Sequence, residues 1–132
     1  MPYVHIVLAL ALVEFFFFCL AVARARDTYQ VPAPATTGHA VFERYFRAQM
    51  NTLEQLIIFV PSIILFGAYV SAWLAAALGV VFIIGRAVYF RGYVRAAEGR
   101  HRGFMLSVIP NLTLLGGGLL GAAWKLIRPA LG

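Results

Sequence analysis

Apolar residues run along this chain in long stretches separated by short segments where charge and proline collect. Val4 to Val22 is broken only by His5 and Glu14, Leu56 to Gly85 carries no charge, and Phe104 to Trp124 carries none. A membrane-crossing helix needs about 20 predominantly apolar residues. The central run is extended outward on both sides by segments whose polar residues recur at helical spacing, so it divides into two helices around a tight turn at Tyr69 to Trp73. The pattern predicts four transmembrane helices at about 3–23, 41–70, 74–98 and 104–126, an all-α integral membrane bundle. With no internal repeat and no low-complexity linker, residues 1–132 read as a single transmembrane domain. The one irregular piece is Asp27 to Gly38, where Pro32, Pro34 and Thr36-Thr37-Gly38 end one helix and prepare the next.

Composition agrees, since 62% hydrophobic residues, 12% charged residues and a mean hydropathy of +0.84 are too apolar for a soluble domain of 132 residues. The first helix is too long for a cleaved signal peptide and lacks a basic start, so it is expected to remain in the mature protein. Arg24, Arg26, Arg44 and Arg47 flank the first loop and Arg91, Arg95, Arg100 and Arg102 the third, whereas only Lys125 and Arg128 lie on the other side. The excess of basic residues puts loops one and three in the cytoplasm and both termini on the far side. The net charge of +6 is thereby explained as topology, and no nucleic-acid partner is called for.

Cys19, the single cysteine, lies in the middle of the first apolar helix and has no internal disulfide partner. His5, His39 and His101 are scattered over separate segments, so no metal-ligand spacing arises. Nucleophile, phosphate-loop and dinucleotide motifs are absent. Gly116-Gly117-Gly118 and the Gly117/Gly121 spacing read as tight helix packing.

What remains is two polar stripes. At about 100° per residue, Arg47, Asn51 and Glu54 fall on one arc of the second helix. Arg86, Tyr89, Tyr93 and Arg100 fall on one arc that reads as belonging to the third. Arg44, Arg91, Arg95 and Arg102 read as side chains snorkelling from helix ends to the headgroups. The stripes differ, because ionisable groups at membrane depth are costly and tend to face protein or a water-filled cavity. Glu54 paired with Arg86 or Arg47 could simply tie two helices together, a reading that stands beside a functional one. Three arginines against one carboxylate still leave positive charge for an anion. Guanidinium groups clamp carboxylates, Asn51, Gln49 and the tyrosine hydroxyls offer neutral hydrogen bonds, and Glu54 can receive an ammonium group. The implied ligand is a small zwitterion with more than one carboxylate, held where it can meet a lipid-dissolved partner.

Phe42-Glu-Arg-Tyr-Phe-Arg-Ala-Gln-Met-Asn-Thr-Leu-Glu54 and Gly85-Arg-Ala-Val-Tyr-Phe-Arg-Gly-Tyr93, with Arg100 seven residues on, resemble signature stretches of the MAPEG family, membrane-associated proteins in eicosanoid and glutathione metabolism. The nearest branch holds microsomal glutathione transferase and leukotriene C synthase, and the resemblance covers essentially the whole chain. It implies a four-helix protomer, a homotrimer, and glutathione as co-substrate bound between protomers at the cytoplasmic side, with no metal. Arg26, Arg47, Gln49, Asn51, Glu54, Arg86, Tyr89 and Tyr93 match glutathione-binding positions, and Arg100 matches the arginine that activates the thiol. Gln55 departs from the aromatic residue usual in the leukotriene branch. The lipid-presenting, non-enzymatic member of the family lacks the equivalents of Arg47 and Arg100, so their presence points to an enzyme. The expected function is conjugation of glutathione thiolate to hydrophobic electrophiles, with glutathione-dependent peroxidase activity beside it. The alternatives are a proton-coupled small multidrug transporter working through Glu14, and a non-catalytic lipid-binding membrane protein.

Overall fold

The computed structural model describes residues 1–131, which form four long helices: α1 Pro2–Tyr29, α2 Ala40–Tyr69, α3 Ala72–Arg95 and α4 His101–Leu131. A single 3-10 turn, Ala97–Arg100, leads into α4. All four helices are long and apolar enough to cross a membrane. Their outer faces carry exposed Ile6, Leu10, Phe16 and Phe17 on α1 and Leu119, Leu120 and Leu126 on α4. Such surface suits lipid, which can satisfy no backbone polar group and therefore selects helices.

The helices begin and end where capping chemistry places them, and the limits differ from those expected from hydropathy. α1 continues past residue 23 to Tyr29, because Arg24, Arg26 and Asp27 leave the apolar zone without breaking the helix. It stops at Gln30, whose left-handed backbone (φ 56°, ψ 48°) returns its N–H to Arg26 O. Arg26 then braces the following loop, donating from Nη1 to Ala35 O at 2.7 Å and Val31 O at 3.3 Å while lying 4.8 Å from the Phe42 ring centroid. At the start of α2, His39 Nδ1 accepts from Val41 N–H at 3.1 Å. Ser71 Oγ does the same for Leu74 N–H at the start of α3.

α3 ends at Arg95 rather than 98, and α4 begins at His101 rather than 104. Ala96 is fully extended (φ −161°, ψ 141°), which breaks the helix and lets the 3-10 turn fold back, with Gly99 backbone lying against Gly92. Arg100 consequently does not belong to the stripe of α3. Arg44 also departs from expectation: its Nε donates to Val94 O at 3.0 Å, tying α2 to the last turn of α3 instead of snorkelling.

The core away from the polar stripes is apolar. Val4, Val7 and Ala11 from α1, Phe59 and Ile63 from α2, Phe82 from α3 and Leu114 from α4 pack together. Phe59 and Phe82 stack with centroids 4.0 Å apart. In lipid such contacts hold helices through close packing rather than exclusion of water. α3 and α4 touch backbone to backbone: a Cβ on Gly85 would lie 2.7 Å from Leu106 C, and one on Gly103 would strike the Tyr89 backbone. The α4 glycines pack within the chain, Gly117 on the Phe66 ring and Gly118 on Leu65, while Gly116 faces open space.

Candidate functional site

Between α2, α3 and the start of α4 lies a cavity of about 730 Å³. α2 supplies Asn51, Glu54 and Gln55, spaced so that three successive polar side chains climb one wall. α3 supplies Arg86 and Tyr89, and the 3-10 turn with the first turn of α4 brings Glu98, Arg100, His101 and Phe104 over the top.

Arg86 is the deepest charged group, only 1% exposed. Its Nε and Nη2 donate to Thr52 Oγ1 at 3.2 and 2.8 Å, and its Nη1 donates to Ser107 Oγ at 3.1 Å. The Tyr89 ring centroid lies 4.0 Å from the guanidinium carbon, a cation–π contact sheltered from water. Asn51 Nδ2 in turn donates to Tyr89 Oη at 2.6 Å. Opposite, Arg100 sits 5.4 Å from the Tyr93 centroid and is exposed at the mouth, near exposed Glu54. Glu14, half-buried on α1, lies within electrostatic reach of Arg86.

The structure thus brings together Asn51, Glu54, Arg86, Tyr89 and Arg100, with Tyr93 joined through its contact to Arg100. Arg100 arrives by the back-folding of the turn, not by helical periodicity. Three of the expected residues lie elsewhere within this chain. Arg26 holds its own loop. Arg47 is exposed on α2, outside the cavity wall. Gln49 donates from Nε2 to Cys19 Sγ at 3.1 Å, toward α1, because two residues from Asn51 is about 160° around the helix. The tie between α2 and α3 is also not the ion pair considered from sequence: all three Arg86 hydrogen bonds go to hydroxyls, and Asn51–Tyr89 adds a neutral one.

Sequence reasoning missed Thr52, Ser107 and Asn111, all buried. Asn111 Nδ2 donates to Gln55 Oε1 at 3.0 Å and to Gln55 O at 3.1 Å. A signal was available, since Ser107 and Asn111 stand four residues apart and so share one face of an otherwise apolar helix. Among the described residues, no three His, Cys, Asp or Glu side chains come together as a metal site. The chemistry on offer is that of fixed cations, two exposed carboxylates, Glu54 and Glu98, and neutral donors around a polar cavity that opens beside the apolar Phe104.

Residues 4–120 match the MAPEG family. The chain belongs to that family. It is similar to an uncharacterised protein of a Synechocystis species, 44% identical over 121 residues that cover 92% of this chain and 88% of the relative. It is similar to human microsomal glutathione S-transferase 2, 46% identical over 102 residues covering 76% of this chain and 69% of that protein. Guinea-pig (Cavia porcellus) leukotriene C4 synthase is 40% identical over 82 residues, 62% of this chain and 55% of that enzyme. Membership, with four helices suited to crossing a bilayer, makes this MAPEG chain a multi-pass integral membrane protein.

Proposed function

We propose that this MAPEG protein is a membrane-bound glutathione transferase of the microsomal type, joining glutathione to hydrophobic electrophiles. The observation that carries the reading is the meeting of Arg86, Arg100 and Glu54 in one cavity beside an apolar face. Glutathione has two carboxylates, an ammonium group and a thiol. Arg86 and Arg100 suit the anionic groups, Glu54 the ammonium group, and Asn51, Tyr89 and Tyr93 the peptide amides and carbonyls. A volume of about 730 Å³ falls in the range of small-molecule sites.

The thiolate is the nucleophile, and an ordinary cysteine thiol with a pKa of about 8.5 is only a few per cent ionised near neutral pH. Arg100, exposed and free to approach the sulfur, keeps its charge throughout and stabilises the anion without competing for the proton. The sulfur pair then attacks the electrophilic carbon, and the leaving group departs with the bonding pair or a ring-opened oxygen takes a proton from water. Attack on a hydroperoxide oxygen would break the O–O bond, release the alcohol and leave glutathione sulfenic acid, which a second glutathione converts to the disulfide and water, giving peroxidase activity from the same thiolate.

The basic residues flanking the first and third loops support a cytoplasmic site, with both termini on the opposite side. Four helices leave the cavity open on one side, and a homotrimer would complete it. Arg26, Arg47 and Gln49, which lie outside the cavity of their own chain, are the groups proposed to meet glutathione held against a neighbouring protomer. Glu14 is half-buried on α1 and does not line the cavity, so the site is built on arginines rather than on the carboxylate that proton-coupled transport would use.

The deciding experiment is titration of purified, detergent-solubilised protein with glutathione near neutral pH, read by ultraviolet thiolate absorbance. Saturable binding with thiolate formation is expected. Folded protein without saturable glutathione binding would overturn the proposal.

A further inference from the structure

Beneath the cavity, three buried polar side chains that belong to none of the expected site positions account for the orientation of two pocket groups. Thr52, Ser107 and Asn111 are exposed by no more than 2%. Each hydroxyl proton is already committed to its own helix: Thr52 Oγ1 donates to Ala48 O at 2.9 Å, and Ser107 Oγ to Gly103 O at 2.8 Å and Phe104 O at 3.1 Å. Both oxygens are therefore left as acceptors, which is why they take the Arg86 N–H groups. A guanidinium has five N–H groups, and these contacts use three, leaving two on a side chain that forms the cavity floor.

The amide pair is equally determined. The Asn111 group facing the Gln55 main-chain oxygen must be its NH2, because a carbonyl only accepts. The same NH2 meets the Gln55 side chain, which must turn Oε1 toward it. Gln55 Nε2 is left as the outer, donor-only end of a residue in the cavity wall. Asn111 Oδ1 stays buried without a partner, the consequence of holding its nitrogen inward on Gln55.

We infer that Thr52, Ser107 and Asn111 form a positioning layer that holds Arg86 and Gln55 with their remaining N–H groups available to a ligand carboxylate. The layer makes the floor a donor-only surface, while the acceptor for an ammonium group, Glu54, stands at the exposed mouth. Arg86 has hydroxyls but no carboxylate among its hydrogen-bond partners, and Glu14 acts on it without a hydrogen bond, so an incoming carboxylate can make the charged hydrogen bonds that the protein leaves unmade. The inference rests on the glutathione reading and specifies how that site selects an anionic end over a neutral one.

The test compares the full-length protein, in detergent micelles, for binding of glutathione and of glutathione diethyl ester, in which both carboxylates are blocked. The wild type should prefer the free acid strongly. Thr52→Val, which removes the hydroxyl at nearly constant volume, should reduce that preference about tenfold, as expected for a lost hydrogen bond to a charged group. Thr52→Ser should restore it to within about threefold. Ser107→Ala and Asn111→Leu should shift the preference in the same direction and serve if Thr52→Val does not fold. A preference unchanged in variants that only unfold more easily would overturn the inference, reducing the layer to helix packing. Absence of glutathione binding in the wild type would instead overturn the proposed function itself.

Discussion

The two ends of the bundle are built on different principles. Around Phe59, Ile63, Phe82 and Leu114 the helices meet through ring stacking and small-residue contacts, and cohesion is spread over many weak approaches. Around Arg86 the same helices are joined by a handful of directional bonds, Arg86 to Thr52 and Ser107, Asn51 to Tyr89, Asn111 to Gln55. The first kind of region tolerates volume-conserving change and holds the helices in place. The second tolerates little change in chemistry, because each polar group at membrane depth lacks water as an alternative partner. A substitution should therefore reveal its region by what it spares.

The largest effect on stability should come from the apolar end. Phe82→Ala removes one ring of the Phe59 stack and should cost about 3–5 kcal/mol, read as a lowered midpoint of unfolding in detergent. Glutathione affinity of the molecules that remain folded should be unchanged. A large loss of affinity would mean that the two ends are coupled.

At the polar end, Arg100→Ala should lower kcat about 100-fold, a loss of about 2.7 kcal/mol of transition-state stabilisation, with little change in stability because the side chain is exposed. The sign of the accompanying pH effect follows from charge. Removing the cation disfavours the thiolate, so the apparent pKa of bound glutathione should rise toward the ordinary thiol value and the thiolate absorbance near neutral pH should fall. Arg47→Ala should act differently, weakening glutathione affinity about tenfold while kcat at saturation is maintained. Equal KM effects with unchanged kcat in both variants would make Arg100 another anchor.

Co-expression of Arg26→Ala and Arg100→Ala protomers asks whether the polar end is completed by a second copy. Mixed assemblies should regain a fraction of wild-type activity, and verified mixed assemblies without recovery would confine the site to one chain. The smallest effect belongs to Gly116→Ala. The added methyl meets nothing within 4 Å in this chain, so the gain in helix propensity should leave stability equal or higher by up to about 1 kcal/mol. The neighbouring Gly117→Ala would press on the Phe66 ring and should destabilise.

The apolar runs that divide into four helices, the tight turn before α3 and two polar faces, one with Asn51 and Glu54 and one with Arg86 and Tyr89, were legible in the chain, because helical periodicity and the cost of charge in lipid act locally. Their family resemblance was carried by the same residues, and the match over residues 4–120 agrees with it. Helix ends were less legible. Hydropathy records where the bilayer ends, whereas α1 ends where Gln30 turns left-handed and α3 where Ala96 extends.

The partners of the polar groups were decided by tertiary structure alone. Whether Arg86 would find Glu54 or a hydroxyl depends on how its helix packs, and the close approach of α3 to α4 that brings Ser107 within reach is permitted by Gly85 and Gly103, which have no side chain to mark a contact in the pattern. Arg100 reaches the cavity because a 3-10 turn reverses the chain, while the donors of Arg26 and Gln49 are taken up outside it, by a nearby loop and by Cys19. Periodicity assigns a residue to a face of its helix. Only the packing of that helix against the others determines what the face meets.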